Sequence, residues 1–183
     1  MIIAILSDSH DAIVHVHRAV SHANRAGAEI LIHCGDLVSP FMLNQLDKFT
    51  GHVHLIYGNN VGDQHLISTR CEKQKDQFTH HGILGSVEVD GKRVGFHHYP
   101  ELALPLAQSG RFDYVCCGHN HICRVQKIGK CLLINPGDLL GKEVAPGFIL
   151  LDTKTSTIQH IRVGDSMDFQ KEFENTISVI TPQ

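Results

Sequence analysis

The sequence predicts an α/β fold, a four-layer α/β/β/α sandwich of two mixed β-sheets flanked by helices. Three observations carry that expectation. In the first half, short apolar runs alternate with helical patterns, and strands separated by helices pair in parallel. In the second half, short strands follow one another around tight turns, as in a second and mostly antiparallel sheet. Nearly every expected strand also runs out into a short loop carrying Asp, His or Asn.

Residues Ile2 to Leu6 form a continuous apolar run, as a strand buried on both faces requires. Asp11 is placed to cap a helix whose Ile13, Val16, Val20 and Ala23 share one face, and Gly27 ends it. Ile30 to Cys34 reads as the second strand, and Ser39-Pro40 opens a second helix, because proline is tolerated in the first turn. Val53 to Tyr57 is the third strand, followed by a polar loop from Gly58 to Gln64. Gly85 to Phe96 reads as a hairpin about Asp90-Gly91. Glu101 to Ser109 is a short helix interrupted by Pro105, and Tyr114 to Cys117 is a strand. Arg124 to Ile128 and Cys131 to Ile134 flank Gly129-Lys130, and Phe148 to Leu151 is expected to pair with Ile158 to Val163. The pattern defines a single domain over 1–163, with 164–183 as a C-terminal tail.

Composition narrows the function classes. The chain has 183 residues, 42% hydrophobic and 19% charged, which excludes a disordered protein. A net charge of −3 leaves no strong nucleic-acid footprint and no cationic face for a membrane. No apolar run approaches the ~20 residues that span a bilayer, and MIIAILSDSHD lacks a signal-peptide pattern. The six cysteines fall mostly in apolar, strand-like runs without a C-x-x-C pair, so free thiols and a cytoplasmic location are expected. The abnormal count is histidine, 15 residues. His15, His17, His22, His52, His54, His80 and His81 are expected on solvated faces.

The strand-end loops carry the chemistry. In order they are Asp8-Ser9-His10, Gly35-Asp36, Gly58-Asn59-Asn60, His97-His98 and Gly118-His119-Asn120-His121. In open α/β sheets, ligands bind beyond the carboxyl ends of the strands, so these loops can converge. Carboxylates combined with imidazoles suit a divalent transition metal such as Mn, Fe, Ni or Zn, whereas calcium sites are built from oxygens alone.

This ordered series resembles the signature of the calcineurin-like metallophosphoesterase superfamily, in particular its compact prokaryotic phosphodiesterase branch. The resemblance runs from Met1 to about Val163 and includes Asn135-Pro136-Gly137. It implies two divalent metal ions, Mn2+ first, with Zn2+, Ni2+ or Fe as alternatives. One would be held by Asp8, His10, Asp36 and His121, the other by Asp36, Asn59, His97 and His119, with Asp36 bridging. It further implies hydrolysis of phosphodiesters or phosphomonoesters by a metal-bridging hydroxide, and a small phosphate ester as substrate. The cations would supply the positive charge that a chain of net −3 lacks. A different reading keeps the same fold as a protein-binding scaffold, as in the retromer subunit with a phosphoesterase-like fold. The intact set of seven ligand positions favours the enzyme. A homo-oligomer is left open.

The series departs from the family pattern at two places. After Gly-Asn the family continues with His or Cys and an acid, where this chain has Asn60 and Val61. Asn60 can donate a hydrogen bond to a phosphoryl oxygen but cannot transfer a proton, and Asp63 is the candidate replacement acid. Around His97-His98, strand alternation favours His97 as the ligand. His98 then lines the cleft or supports a ligand from behind, and is a further candidate donor.

Overall fold

The computed structural model describes residues 1–142, 144–164 and 177–182. In chain order the elements are β1 (Ile2–Leu6), α1 (Ile13–Arg25), β2 (Ile30–His33), a 3-10 turn (Pro40–Met42) leading into α2 (Leu43–Leu46), β3 (His52–Leu55), α3 (Gln64–Lys73) and β4 (Phe78–His80). There follow β5 (Leu84–Val89), β6 (Lys92–His97), α4 (Pro100–Gln108), β7 (Tyr114–Cys116), β8 (Cys123–Ile128), β9 (Cys131–Pro136), β10 (Gly147–Asp152), β11 (Thr157–Arg162) and β12 (Ile177–Val179). They form a seven-stranded sheet in the order β12-β11-β10-β1-β2-β3-β4 and a five-stranded sheet in the order β5-β6-β7-β9-β8.

Three apolar clusters define the four layers. Val16, Val20 and Ala23 of α1 and Leu43 and Leu46 of α2 pack with Ala4, Leu6 and Leu31 on one face of the larger sheet. Ile3, Ile5, Ile32 and Cys34 point the other way and meet Phe96, Cys116 and Ile134 of the smaller sheet. Ala103 and Ala107 of α4 cover Val115, Cys117 and Leu133 on its far side. The two-residue side-chain period of a strand produces this division: Ala4 and Leu6 take one face, Ile3 and Ile5 the other. Both sheets are mixed. β1, β2, β3 and β4 run parallel, and β1 pairs antiparallel with β10 on its other edge.

The structure corrects several local expectations. Asp11 does not cap α1: its carboxylate accepts from Ser39 N at 2.9 Å and Ser39 Oγ at 2.5 Å, tying two loops together, and the N-cap is Ala12. The hairpin of β10 and β11 joins the first sheet through β1, not the second. The second sheet is half parallel, since β7 pairs in parallel with both β6 and β9. α3 and β4 follow a stretch read as polar loop. Only Ile67 and Cys71 of α3 are buried, too few for a legible stripe. In the segment expected to be a tail, β12 pairs antiparallel with β11, while 165–176 lie outside the described residues. The turn at Asp90-Gly91 is as expected, with both residues at positive φ (53° and 71°), the requirement of a two-residue type I′ hairpin.

Not all the remaining histidines are solvated. His22 is 3% exposed in α1, and His54 and His80 are half-buried on β3 and β4. Burial pushes their imidazoles down to about 4, 3 and 4 respectively. In the unfolded chain these groups titrate near ~6.5, so below that value the unfolded state takes up protons the folded state refuses. Their contribution to stability is complete above ~6.5 and is lost as pH falls toward the folded values. With metal chelated, the urea midpoint is expected to drop between pH 7 and pH 5 at constant slope. A midpoint that stays flat over that interval contradicts the burial of neutral rings.

Candidate metal centre

The loops leaving β1, β2, β3, β6 and β7 meet at one edge of the sandwich. Parallel pairing of β1 with β2 sets their carboxyl ends side by side, and the ladder continues beyond the strands through Asp8 N to Gly35 O and His10 N to Asp36 O, both 3.1 Å. Gly118 N donates to His98 O at 2.9 Å and joins the loops of the smaller sheet in the same way. At the site the chain leaves the extended region abruptly. Asp8, His10, Asp36, His119 and His121 have φ of 51°, 38°, 56°, 70° and 60°. Each such step costs a non-glycine residue about 1–3 kcal/mol, so the surrounding contacts must impose it.

Those contacts are specific. Asp8 is fully buried, and its Oδ2 accepts from Ser7 Oγ at 2.5 Å and His119 N at 2.9 Å. Burial dominates its environment and holds its carboxyl above the ordinary value, while the Ser7 bond opposes that shift. Asp36 is 1% exposed; Asn60 donates its backbone N–H to Oδ1 at 2.8 Å and its side-chain amide to Oδ2 at 2.6 Å. Gly58 and Gly118 are required by proximity: a Cβ on the first would collide with the Asp36 carboxylate, and on the second with Ser7 Oγ and Asp8 Oδ2.

The histidines approach these carboxylates with their proton positions already assigned. His98 Nδ1 lies 2.8 Å from the carbonyl of Cys34, which can only accept, so the proton is on Nδ1. Its Nε2 is then left with two acceptors, Asp36 Oδ1 at 3.4 Å and Asn59 Oδ1 at 2.9 Å, which an unprotonated nitrogen faces favourably only with a cation among them. His121 repeats the arrangement: Nδ1 donates to the buried Asp138 at 2.8 Å, and Nε2 faces Asp8 Oδ1 at 3.5 Å. His10 Nε2 is 3.4 Å from Asp36 Oδ2 and 3.9 Å from Asp8 Oδ1. His119 Nδ1 reaches Asn59 Oδ1 at 2.8 Å, and the Tyr99 ring packs edge-on against His119 with centroids 4.6 Å apart.

These residues fit divalent cations. Asp8 Oδ1 and His10 Nε2 are buried and meet no hydrogen-bond partner. Acceptors and lone pairs turned toward one another without water are costly unless a positive charge, a proton or a cation, sits among them. Ligand atoms of Asp8, His10 and His121 lie within 4.8 Å of one another, and so do those of Asp8, Asp36 and His98. Asp8 belongs to both groups, and Asp36 touches one histidine of each.

Of the ten residues singled out from the sequence, eight come together here: Asp8, His10, Asp36, Asn59, Asn60, His98, His119 and His121. Two do not. His97 turns toward α4, with its Nδ1 accepting from Tyr99 N at 3.1 Å, and is absent from both ligand groups. Alternation places His98, not His97, at the centre, because Phe96 faces the space between the sheets and His98 is two residues on. Asp63 is the N-cap of α3, its carboxylate accepting from Leu66 N at 2.8 Å. Sequence reasoning missed Ser7, Tyr99 and Asp138. For Asp138 a signal existed in its position directly after Asn135-Pro136-Gly137.

A model of the calcineurin-like phosphoesterase superfamily domain matches residues 1–156. Phosphodiesterase MJ0936 of Methanocaldococcus jannaschii is 29% identical over 165 residues, which cover 88% of this chain and 98% of that protein. Among solved structures, an archaeal phosphodiesterase aligns with a TM-score of 0.83 at 29% identity, covering 89% of this chain and 100% of that one. Vps29 of Entamoeba histolytica, in complex with Zn2+, aligns with a TM-score of 0.69 at 17% identity over 98% of this chain and 97% of that one, a likeness of fold. Taken with the strand-end carboxylates and imidazoles, the match over 1–156 means that the chain belongs to the calcineurin-like phosphoesterase superfamily.

Proposed function

We propose that the protein is a phosphodiesterase that uses two divalent cations, Mn2+ first among them, to hydrolyse small phosphodiesters. One observation carries the reading: His98 and His121 each have the Nδ1 proton held by an acceptor, so that both Nε2 lone pairs face buried carboxylates. Imidazoles that bind metals are commonly prepared in this way. Asp8, His10, Asp36 and His121 would hold one cation, and Asp36, Asn59, His98 and His119 the other, with His98 taking the place expected for His97. When bound, such cations neutralise phosphoryl oxygens and make water a stronger nucleophile near neutral pH.

The chain's own contribution is positioning. Ser7 Oγ and His119 N hold Asp8, Asn60 holds both oxygens of Asp36, and Asp138 orients His121. Asn135 donates to Gly118 O at 2.8 Å and to Asn120 Oδ1 at 2.9 Å, which keeps the Gly118-His119-Asn120-His121 loop in its left-handed path. Asn60 spends its amide on Asp36 and Asp63 caps a helix, so neither delivers a proton to a leaving group. Among the described residues no helix is long and apolar enough to cross a membrane. Six free cysteines support a reducing compartment, the cytoplasm.

Four substitutions test the reading. His98→Ala is expected to lower bound Mn2+ from about two ions per chain to about one, and turnover of bis-p-nitrophenyl phosphate by roughly 10²-fold. His97→Ala keeps both ions, and metal analysis that shows the reverse pattern overturns the ligand assignment. Asp36→Asn removes charge from both positions, so occupancy and hydrolysis fall together, and wild-type turnover at matched metal excludes the two-ion reading. Asp63→Ala should cost about 1 kcal/mol of stability and leave the dependence of rate on leaving-group acidity equal to that of the wild type. A change in that dependence makes Asp63 the proton donor after all.

A further inference from the structure

A cavity of about 560 Å³ opens directly beside the metal centre, and His121 forms the wall between them. One edge of the His121 ring faces Asp8 Oδ1, and the same side chain lines the cavity. Ile122, Val144 and Ala145 are among the residues lining it, with Ile122 and Val144 exposed by 58% and 54%. Large aliphatic side chains scattered over a surface need no explanation, but here they surround one concavity next to reactive groups. His160 lies on another wall, where burial and the nearby Arg162 hold its imidazole below the ordinary value. A Cβ at Gly147 would strike the His160 ring, so the absence of a side chain there lets the ring take its place. The exposed Arg162 is the lysine or arginine among the residues lining the cavity.

We propose that this cavity is a subsite for one ester arm of the substrate, a flat and mostly apolar group of aryl or nucleobase size with a hydrogen-bond acceptor turned toward Arg162. The proposal rests on the phosphodiesterase reading and deepens it. A phosphate at the centre would abut His121, and an arm passing that ring reaches Ile122, Val144 and Ala145. A phosphomonoester with an aryl arm can fill the cavity as well, so the subsite selects for one bulky arm and the choice between monoester and diester lies elsewhere. A long polyanion is a poor occupant, because a single arginine faces the cavity and the net charge is −3.

Calorimetric titration of the Mn2+-loaded full chain with diphenyl phosphate and dimethyl phosphate tests this apart from turnover. The wild type is expected to bind diphenyl phosphate at least about tenfold more tightly, the scale of burying one aromatic ring. Ala145→Trp, at an exposed position on the cavity wall, should fill the cavity and bring the ratio of the two affinities to about one. Arg162→Ala should raise KM for bis-p-nitrophenyl phosphate several-fold more than it changes kcat. Equal affinities in the wild type, or a ratio that Ala145→Trp does not alter, overturn the subsite. Hydrolysis without the preference removes the subsite and leaves the phosphodiesterase reading standing. Preference without hydrolysis removes the phosphodiesterase reading and leaves an aryl phosphate site.

Discussion

Two carboxylates buried next to each other are the constraint around which the structure is organised. Asp8 and Asp36 stand beyond neighbouring parallel strands, 0% and 1% exposed, where water cannot stabilise their charge. Like charges in that setting repel and are poorly solvated, a combination that folded chains tolerate only when neighbouring groups compensate. Hydrogen bonds given by Ser7, His119 and Asn60 compensate in part, and the imidazoles whose bare nitrogens look inward leave the remainder to a positive charge among them. The left-handed turns, the glycines without side chains and the orienting Asp138 all follow from that demand. Removing the carboxylates would leave these features without a reason.

What the sequence made legible was whatever a local pattern could express. Apolar runs bounded by Asp-x-His, Gly-Asp and Gly-His-x-His marked both the strands and the points at which they end. The strand period also allocated β1 to both faces, which foretold a sheet covered on two sides. Illegible features depended on partners distant in sequence. Local alternation favoured His97 over His98, and the phase of that alternation is set instead by Phe96 packing with Ile32 and Cys34 of the other sheet. Asp11 read as a helix cap and Asp63 as a replacement acid in a loop. Ser39 claims the first across 28 residues, and the helix after Gly62 takes the second. The destination of the β10–β11 hairpin was equally hidden, because its alternation suits either sheet.

The division between scaffold and chemistry also clarifies how close this fold stands to other uses. Vps29 shares its architecture at 17% identity, a likeness of fold alone, and layers of this kind do not by themselves specify hydrolysis. The discriminating features are side chains in five loops and the protons they hold. The cavity beyond His121 belongs to the same level of description, since its walls come from the loop after β7, the connection before β10 and the end of β11.

The position of β1 in its sheet has a consequence for how the molecule is made. This first strand lies at the centre, with β2 on one edge and β10 on the other. During synthesis the β2 edge can pair once Ile30–His33 has emerged, whereas the β10 edge waits for residues 147–152. Through most of elongation the nascent chain therefore presents an apolar strand with one row of backbone donors and acceptors unmatched, a template for misassociation. Asp138 and His121 reach the ribosome exit in the same late window, so the acidic end of β1 stays hydrated until the strand that closes the sheet arrives with the groups that enclose it.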